Sequence, residues 1–208
     1  MTRPAIAVLD YGIGNLRSAQ KALERVGAAA FLTDVPDAIE AADAVVLPGV
    51  GAFGACMEAL HASGLDEVAR RAATDGRPFL GVCVGMQMLF DGSDESPGVR
   101  GLGVLSGTLR RLPEGVKRPQ MQWNVVDVRR PSRLFATVPD PVWMYFVHSY
   151  AAPADAPDVV ATCDYGGPVA AAVERGPLWA TQFHPEKSGT TGLELLRGFV
   201  ETARSGRV

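Results

Sequence analysis

The chain has 208 residues, 47% of them apolar, enough to bury a substantial core and a fit for one domain over residues 1–208. With 20 basic and 23 acidic residues, a formal net charge of -3 and no run of like charge, it lacks the basic face that nucleic-acid binding needs. Three cysteines without C-x-x-C spacing argue against a disulfide framework or structural zinc, and no signal-peptide core or long apolar span is present, so a cytoplasmic protein with no membrane partner is expected.

Ala5 to Asp10 is an apolar run closing on an acid, and Tyr11-Gly12-Ile13-Gly14-Asn15 then turns into a helix predicted over Leu16 to Val26. Strand, glycine turn and helix make the first unit of an α/β fold. A dinucleotide fingerprint would need a third glycine at position 17, where the chain has Arg17. The glycines therefore read as structural, and no cofactor is expected. Ala28 to Thr33 reads as the second strand, Pro36 to Ala42 as a short helix with proline in its first turn, and Ala44 to Leu47 as the third strand. Pro48-Gly49-Val50-Gly51-Ala52-Phe53-Gly54 follows at a strand's carboxyl end, where open α/β sheets bind ligands. Helical segments at Ala55 to His61 and Leu65 to Thr74 lead to the next strand.

It lies in the stretch Pro78-Phe79-Leu80-Gly81-Val82-Cys83-Val84-Gly85-Met86-Gln87, where a short apolar run reaches a cysteine with glycines two residues before and after it. A helix-like segment, Met86 to Phe90, follows at once. This is the pattern of a nucleophile elbow, a sharp strand-to-helix turn that exposes one side chain above a sheet. Backbones in near contact leave no room for a Cβ on either side, which accounts for the glycines. Backbone N–H groups at the following helix N-terminus would stabilise a thiolate.

Beyond Phe90, Asp91 to Gly98 reads as a surface loop. Strand-like pieces follow at Leu102 to Leu105, Thr108 to Arg111, Val125 to Val128, Val142 to Val147, Val159 to Cys163, Val169 to Val173 and Leu178 to Gln182. Glycine, proline and aspartate separate them, the mark of hairpins. A last helix over Thr190 to Arg204 places Leu193, Leu196, Val200 and Ala203 on one face. The expected fold is α/β, with an open, mostly parallel central sheet flanked by helices and carrying an antiparallel extension.

A cysteine nucleophile needs a base, and the histidines are His61, His148 and His184. His61 lies in a helical stretch and reads as a surface residue. His184 stands just past a strand in Gln182-Phe183-His184-Pro185-Glu186. In extended chain, residues i and i+2 lie on one side about 6.5 Å apart, within reach of a carboxylate-to-imidazole hydrogen bond. Pro185 favours an extended His184. A Cys83, His184, Glu186 arrangement follows, with His184 moving the proton and Glu186 orienting it. The alternatives are a buried core thiol beside a surface turn, and a metal site from His148, His184 and a thiol, for which no ligand spacing speaks. Acyl transfer also needs oxyanion donors, each worth about 3 kcal/mol. The Val84 N–H is one candidate, and a rotating peptide at Gly49-Val50 is the second.

Gly81-x-Cys83-x-Gly85-x-Gln87 with His184-Pro185-Glu186 about a hundred residues later resembles the class I (triad) glutamine amidotransferases, which implies their flavodoxin-like fold. Within them, Asp10 to Leu16, Leu47 to Phe53, Gln122-Trp123-Asn124 and Phe146 to Tyr150 resemble the glutaminase subunits of imidazole glycerol phosphate synthases. The resemblance implies hydrolysis of L-glutamine through a Cys83 thioester. The ammonia would pass to a cyclase subunit with a (β/α)8 barrel, in a heterodimer, for imidazole glycerol phosphate and histidine synthesis. It further implies that Gly51, Gln87, His148, Ser149 and Tyr150 line the glutamine pocket. Asn15, Met121, Trp123, Tyr145 and Lys187 would face the cyclase, although Trp123 and Tyr145 also read as ordinary core aromatics. Where that family carries Pro-His-Met-Gly-Trp-Asn, this chain has Pro119-Gln120-Met121-Gln122-Trp123-Asn124, so Gln122 adds a side chain that bears on loop geometry and docking. The competing readings are a glutaminase subunit of another synthase (anthranilate, aminodeoxychorismate or pyridoxal phosphate), a cysteine hydrolase on the same scaffold, or a non-catalytic regulatory module.

Overall fold

The computed structural model describes residues 2–206. The first half alternates strand and helix: β1 (Ala5–Leu9), α1 (Leu16–Arg25), β2 (Ala29–Thr33), α2 (Pro36–Ala41), β3 (Ala44–Gly49), α3 (Phe53–Ala62), α4 (Asp66–Ala72), β4 (Phe79–Cys83) and α5 (Val84–Gln87). The second half is mostly strand: β5 (Gly92–Ser93), β6 (Thr108–Arg111), β7 (Gln120–Val125), β8 (Asp127–Val128), β9 (Trp143–His148), β10 (Tyr150–Ala151), β11 (Val159–Asp164), β12 (Pro168–Arg175) and β13 (Leu178–Thr181). A single 3-10 turn (Pro185–Lys187) and α6 (Gly189–Arg204) close the chain.

The main sheet runs β2-β1-β3-β4-β13-β12-β11-β8. Its first five strands are parallel, and β12, β11 and β8 extend it antiparallel. Parallel strands need crossovers, and α1 and α2 supply them on opposite faces because such connections are right-handed. Burial on both faces explains why β3 and β4 read as nearly unbroken apolar runs, every residue of both being buried. In α1, Ala19, Ala22 and Leu23 point inward at helical spacing. In α6, Leu195, Leu196, Phe199, Val200 and Ala203 do the same, with Phe199 against Trp179 of β13. A buried arginine was not foreseen: Arg77 pairs with Asp75 and donates to the carbonyls of Ile39, Glu40 and Ala42, which closes the C-terminal end of α2.

Four local expectations are corrected. Leu102 to Leu105 is not a strand: the amides of Leu102, Val104 and Leu105 donate to the carbonyls of Met88 and Leu89 and so cap the turns after α5. Its apolar side chains are buried all the same, which is why the pattern resembled a strand. The predicted helix Met86 to Phe90 begins earlier, at Val84, and ends at Gln87. Asp91 to Gly98 contains β5, with Gly92 and Ser93 buried, rather than being surface loop throughout. Val125 to Val128 is split between two sheets, because β7 pairs with β9 while β8 pairs with β11.

The β7–β9 ribbon places Met121 opposite Val147, Trp123 opposite Tyr145 and Val125 opposite Trp143. Met121, Trp123, Val125 and Trp143 are exposed, an unusual concentration of large apolar side chains. Gln122 is exposed in a regular strand, so its side chain meets no close backbone approach within this chain. None of the described helices is long and apolar enough to cross a membrane.

Candidate active site

The site forms where β3, β4 and β13 end. Cys83 is the last residue of β4 and has φ 55 and ψ -112, the one non-glycine residue with positive φ among those described. Such a backbone costs about 1–3 kcal/mol and persists only where its surroundings enforce it. The enforcement comes from the glycines. A Cβ on Gly85 would overlap the Leu47 carbonyl of β3, one on Gly49 would stand 2.7 Å from the Gly85 nitrogen, and one on Gly81 would meet the Gly85 oxygen at 3.0 Å. The strand-to-helix turn therefore lies directly on β3, and the thiol is held at its crest.

His184 follows β13, the parallel neighbour of β4. Its Nδ1 lies 2.7 Å from Glu186 Oε1. The contact is not made by extended chain as the spacing had predicted: His184 is extended, but Pro185–Lys187 forms a 3-10 turn that brings the carboxylate back to the ring. Both side chains are almost fully buried. The turn is tied to β9, since the His184 N–H donates to the Tyr145 carbonyl. Ser188 Oγ donates to the His184 carbonyl and accepts from the Tyr145 N–H.

Burial by itself would lower the pKa of His184, but it is outweighed by its interactions with neighbouring Cys83 and Glu186, which raise it to about 9. His184 Nε2 is buried without a hydrogen-bond partner inside the protein. His148 behaves oppositely. Burial drives its pKa down to about 4, the Tyr150 carbonyl pulling the other way and His184 adding to the decrease. His148 is thus neutral near pH 7, donates from Nδ1 to the Tyr150 carbonyl at 2.9 Å, and leaves Nε2 as an acceptor.

A cavity of about 310 Å³ opens over the thiol. Gly51, Gln87, His148, Ser149 and Tyr150 all line it, as do Val50 and Val84. Val84 opens α5, so its N–H has no intrahelical acceptor. The Gln87 amide is engaged within the protein, donating to the Tyr150 carbonyl and to Gln182 Oε1. Of the residues expected to face a partner, Lys187 also borders this cavity, while Asn15, Met121 and Trp123 are exposed and Tyr145 is half-buried. Trp123 and Tyr145 pack edge to face at 6.1 Å, so neither is a core aromatic.

Several participants were missed in the sequence. Gln182, fully buried, directs Nε2 toward Cys83 Sγ at 3.8 Å while holding Gln87. Glu95 borders the cavity and accepts the Phe53 N–H at the start of α3. Nothing local marks these residues, because each arrives from a distant segment. A larger cleft of about 680 Å³ between α3, α4 and the segment around Val99 lies elsewhere. Its lining includes no cysteine, and the pairs His61–Asp66 and Arg70–Glu67 stand at its surface. Among the described residues no group of three or more His, Cys, Asp or Glu could hold a metal ion. All three cysteines are free.

Residues 7–203 match the model of the family described as glutamine amidotransferase class-I. The chain is 50% identical over 200 residues to a Methanothermobacter thermautotrophicus protein named imidazole glycerol phosphate synthase subunit HisH, covering 96% of this chain and 100% of that one. It is likewise 50% identical to the protein of that name from Methylococcus capsulatus, covering 94% and 95% of the two chains. Among solved structures, one described as a glutamine amidotransferase superposes with a TM-score of 0.74 at 23% identity, covering 96% of this chain and 98% of that chain. The structure described as PurLQS from Thermotoga maritima gives 0.72 at 19% identity over 98% and 99%. These two likenesses bear on the fold alone. With the family match spanning nearly the whole chain and relatives at half identity over their full length, this chain belongs to the class I glutamine amidotransferases.

Proposed function

We propose that this protein is the glutaminase subunit of an imidazole glycerol phosphate synthase, acting in histidine biosynthesis, with Cys83, His184 and Glu186 as its catalytic residues. The observation that carries the chemistry is His184, held by Glu186 at 2.7 Å and lining the same cavity as a cysteine on a strained elbow. The synthase assignment is supported by the half identity to HisH subunits over 95–100% of their length.

In this reading the Cys83 thiolate attacks the γ-carboxamide carbon of glutamine. The carbonyl oxygen takes up negative charge opposite the N–H groups of Val84 and of the Gly49-Val50 peptide. His184, protonated, gives its proton to the departing nitrogen, and ammonia leaves as the thioester forms. Neutral His184 then takes a proton from water, whose oxygen attacks the thioester, and glutamate leaves as the Cys83 thiolate and imidazolium are restored. Glu186 keeps Nδ1 protonated, so that Nε2 does the exchange. Glu95, at the cavity rim, supplies a carboxylate suited to the substrate's α-ammonium group, and neutral His148 supplies an acceptor.

Ammonia set free in water near neutral pH would be protonated and lose its nucleophilicity. A glutaminase that serves synthesis therefore passes it on directly. The exposed apolar face of β7 and β9, with Met121, Trp123 and Tyr145, is the docking surface we assign to a cyclase subunit with a (β/α)8 barrel, forming a heterodimer, and we assign Asn15 and Lys187 to the same interface. The test is a glutaminase assay of the full chain with and without a cyclase partner and its nucleotide ligand. Stimulation by both, abolished by Cys83→Ala with partner binding intact, is expected; parent-level hydrolysis by Cys83→Ala would sink the assignment.

A further inference from the structure

The Gly49 to Gly51 loop is held from behind by two buried side chains that no step above employs. The Tyr11 hydroxyl, from the turn after β1, donates to the Pro48 carbonyl at 2.7 Å. The Cys56 thiol, from the first turn of α3, donates to the Val50 carbonyl at 3.2 Å. The two side chains also neighbour each other. Both side chains are buried, and burial pushes both above their ordinary pKa values, so each keeps its proton and remains a donor.

The two carbonyls belong to peptide units on either side of the Gly49–Val50 unit. Pinning the Pro48 carbonyl fixes the plane that carries the Gly49 N–H. Pinning the Val50 carbonyl fixes the plane that carries the Gly51 N–H, where Gly51 adopts φ +94. The middle unit carries the Val50 N–H. With both flanks held, that unit can rotate only about ψ of Gly49 and φ of Val50, as a crankshaft between fixed ends. Since Gly49 is in register with Cys83, the rotation decides whether an N–H or a carbonyl faces the nucleophile.

We infer that Tyr11 and Cys56 are positioning residues for glutamine hydrolysis, whose two hydrogen bonds hold the ends between which the Gly49–Val50 peptide turns and so keep the second oxyanion donor in line with the thiol. This rests on reading Cys83 as the nucleophile of a glutaminase. Neither side chain touches substrate, and their effect is confined to a group that matters in the transition state. Their loss should therefore appear in kcat and leave KM nearly unchanged.

The experiment uses the full chain in complex with a cyclase partner and measures kcat and KM for glutamine in Cys56→Ala, Cys56→Ser and Tyr11→Phe. It also measures the rate at which iodoacetamide alkylates Cys83, a displacement that builds no oxyanion, with the alkylated cysteine located by peptide mass spectrometry. Cys56→Ala and Tyr11→Phe are each expected to lower kcat about ten- to a hundredfold, less than loss of a whole oxyanion donor, with KM and alkylation within about twofold of the parent. Cys56→Ser, whose hydroxyl can donate to the Val50 carbonyl, should restore most of kcat. Parent kcat in Cys56→Ala and Tyr11→Phe, a change in KM alone, or a serine variant no better than alanine would overturn the inference. Tyr11→Phe removes a single oxygen and decides the question if Cys56→Ala fails to fold. A parent complex unable to hydrolyse glutamine would instead overturn the glutaminase reading, so the two failures are distinct.

Discussion

Gly49 at the end of β3 stands in register with Cys83 at the end of β4, and a Cβ on Gly49 would come within 2.7 Å of the Gly85 nitrogen and 2.9 Å of the Val84 side chain. The candidate oxyanion loop and the nucleophile turn are therefore pressed together backbone to backbone. A parallel register sets their spacing, rather than any side-chain contact.

This crowding separates the glycines by consequence. In Gly85→Ala the new methyl would overlap the Leu47 carbonyl, which is backbone and cannot swing away. The variant should lose about 3 kcal/mol of stability and nearly all glutaminase activity. Gly51 has φ +94 but open space around its missing Cβ. Gly51→Ala should lose only about 1 kcal/mol, from backbone strain alone. Denaturant midpoints of the two variants, compared with the parent, check the contrast.

The His184–Glu186 pair predicts a pH profile. The acylating form carries a protonated His184, whose pKa is raised to about 9, so kcat/KM should fall as pH rises through that value. In Glu186→Gln the carboxylate charge is gone and the hydrogen bond is weaker. The falling limb should then move to lower pH, and the rate near pH 7 should drop about a hundred- to ten-thousandfold as ring orientation is lost. A pH–rate series on parent and variant reads both effects, and an unmoved limb would contradict the assigned role of Glu186.

His148 predicts acid lability. Its pKa is lowered from 6.5 to about 4 in the folded chain, so between these values the unfolded state binds the extra proton. The stability His148 contributes is fully present above pH 6.5 and is lost as pH falls through about 4, roughly 3 kcal/mol in all. His148→Gln should flatten the stability profile over that window. Chemical denaturation at a series of pH values would expose the difference, and parallel curves for parent and variant would count against it.

Trp123 is half exposed and packs edge to face on Tyr145 at 6.1 Å. Trp123→Ala should weaken cyclase binding by about 2 kcal/mol, some thirtyfold, as loss of a central aromatic anchor does. The isolated chain should change in stability by less than about 1 kcal/mol, because the ring is not part of the core. Titration calorimetry and thermal unfolding of the same variant separate the two readings. Equal binding by parent and variant would move the docking surface elsewhere.

The first half of the fold was legible because its elements are local. Proline opening α2, glycines around the elbow and unbroken apolar runs in β3 and β4 each carry their own signal, and the boundaries of α2 and β3 differ from expectation by only a residue or two. The second half was less legible. Leu102 to Leu105 has the apolar content of a strand, yet its amides are consumed by the carbonyls after α5. Gln120 to Asn124 has polar residues at alternate positions and lacks the apolar run of a strand, although it pairs with β9 along its whole length. Hydrogen-bond partners far along the chain decided both cases.

Of the site, the sequence by itself determined the chemistry: a cysteine between glycines, a histidine two residues from a glutamate, and a glycine loop to stand beside them. These residue types are dictated by steric and acid–base needs that act over two or three positions. The tertiary structure alone decided how they meet. It replaced the expected extended geometry of His184 and Glu186 with a 3-10 turn, and brought Gln182 to Cys83 across 99 positions and Glu95 to α3 across 42. It also set Tyr11 and Cys56 behind the Gly49-Val50 peptide. Such contacts depend on strand order and register, which arise from packing the whole sheet and leave no trace in neighbouring residues.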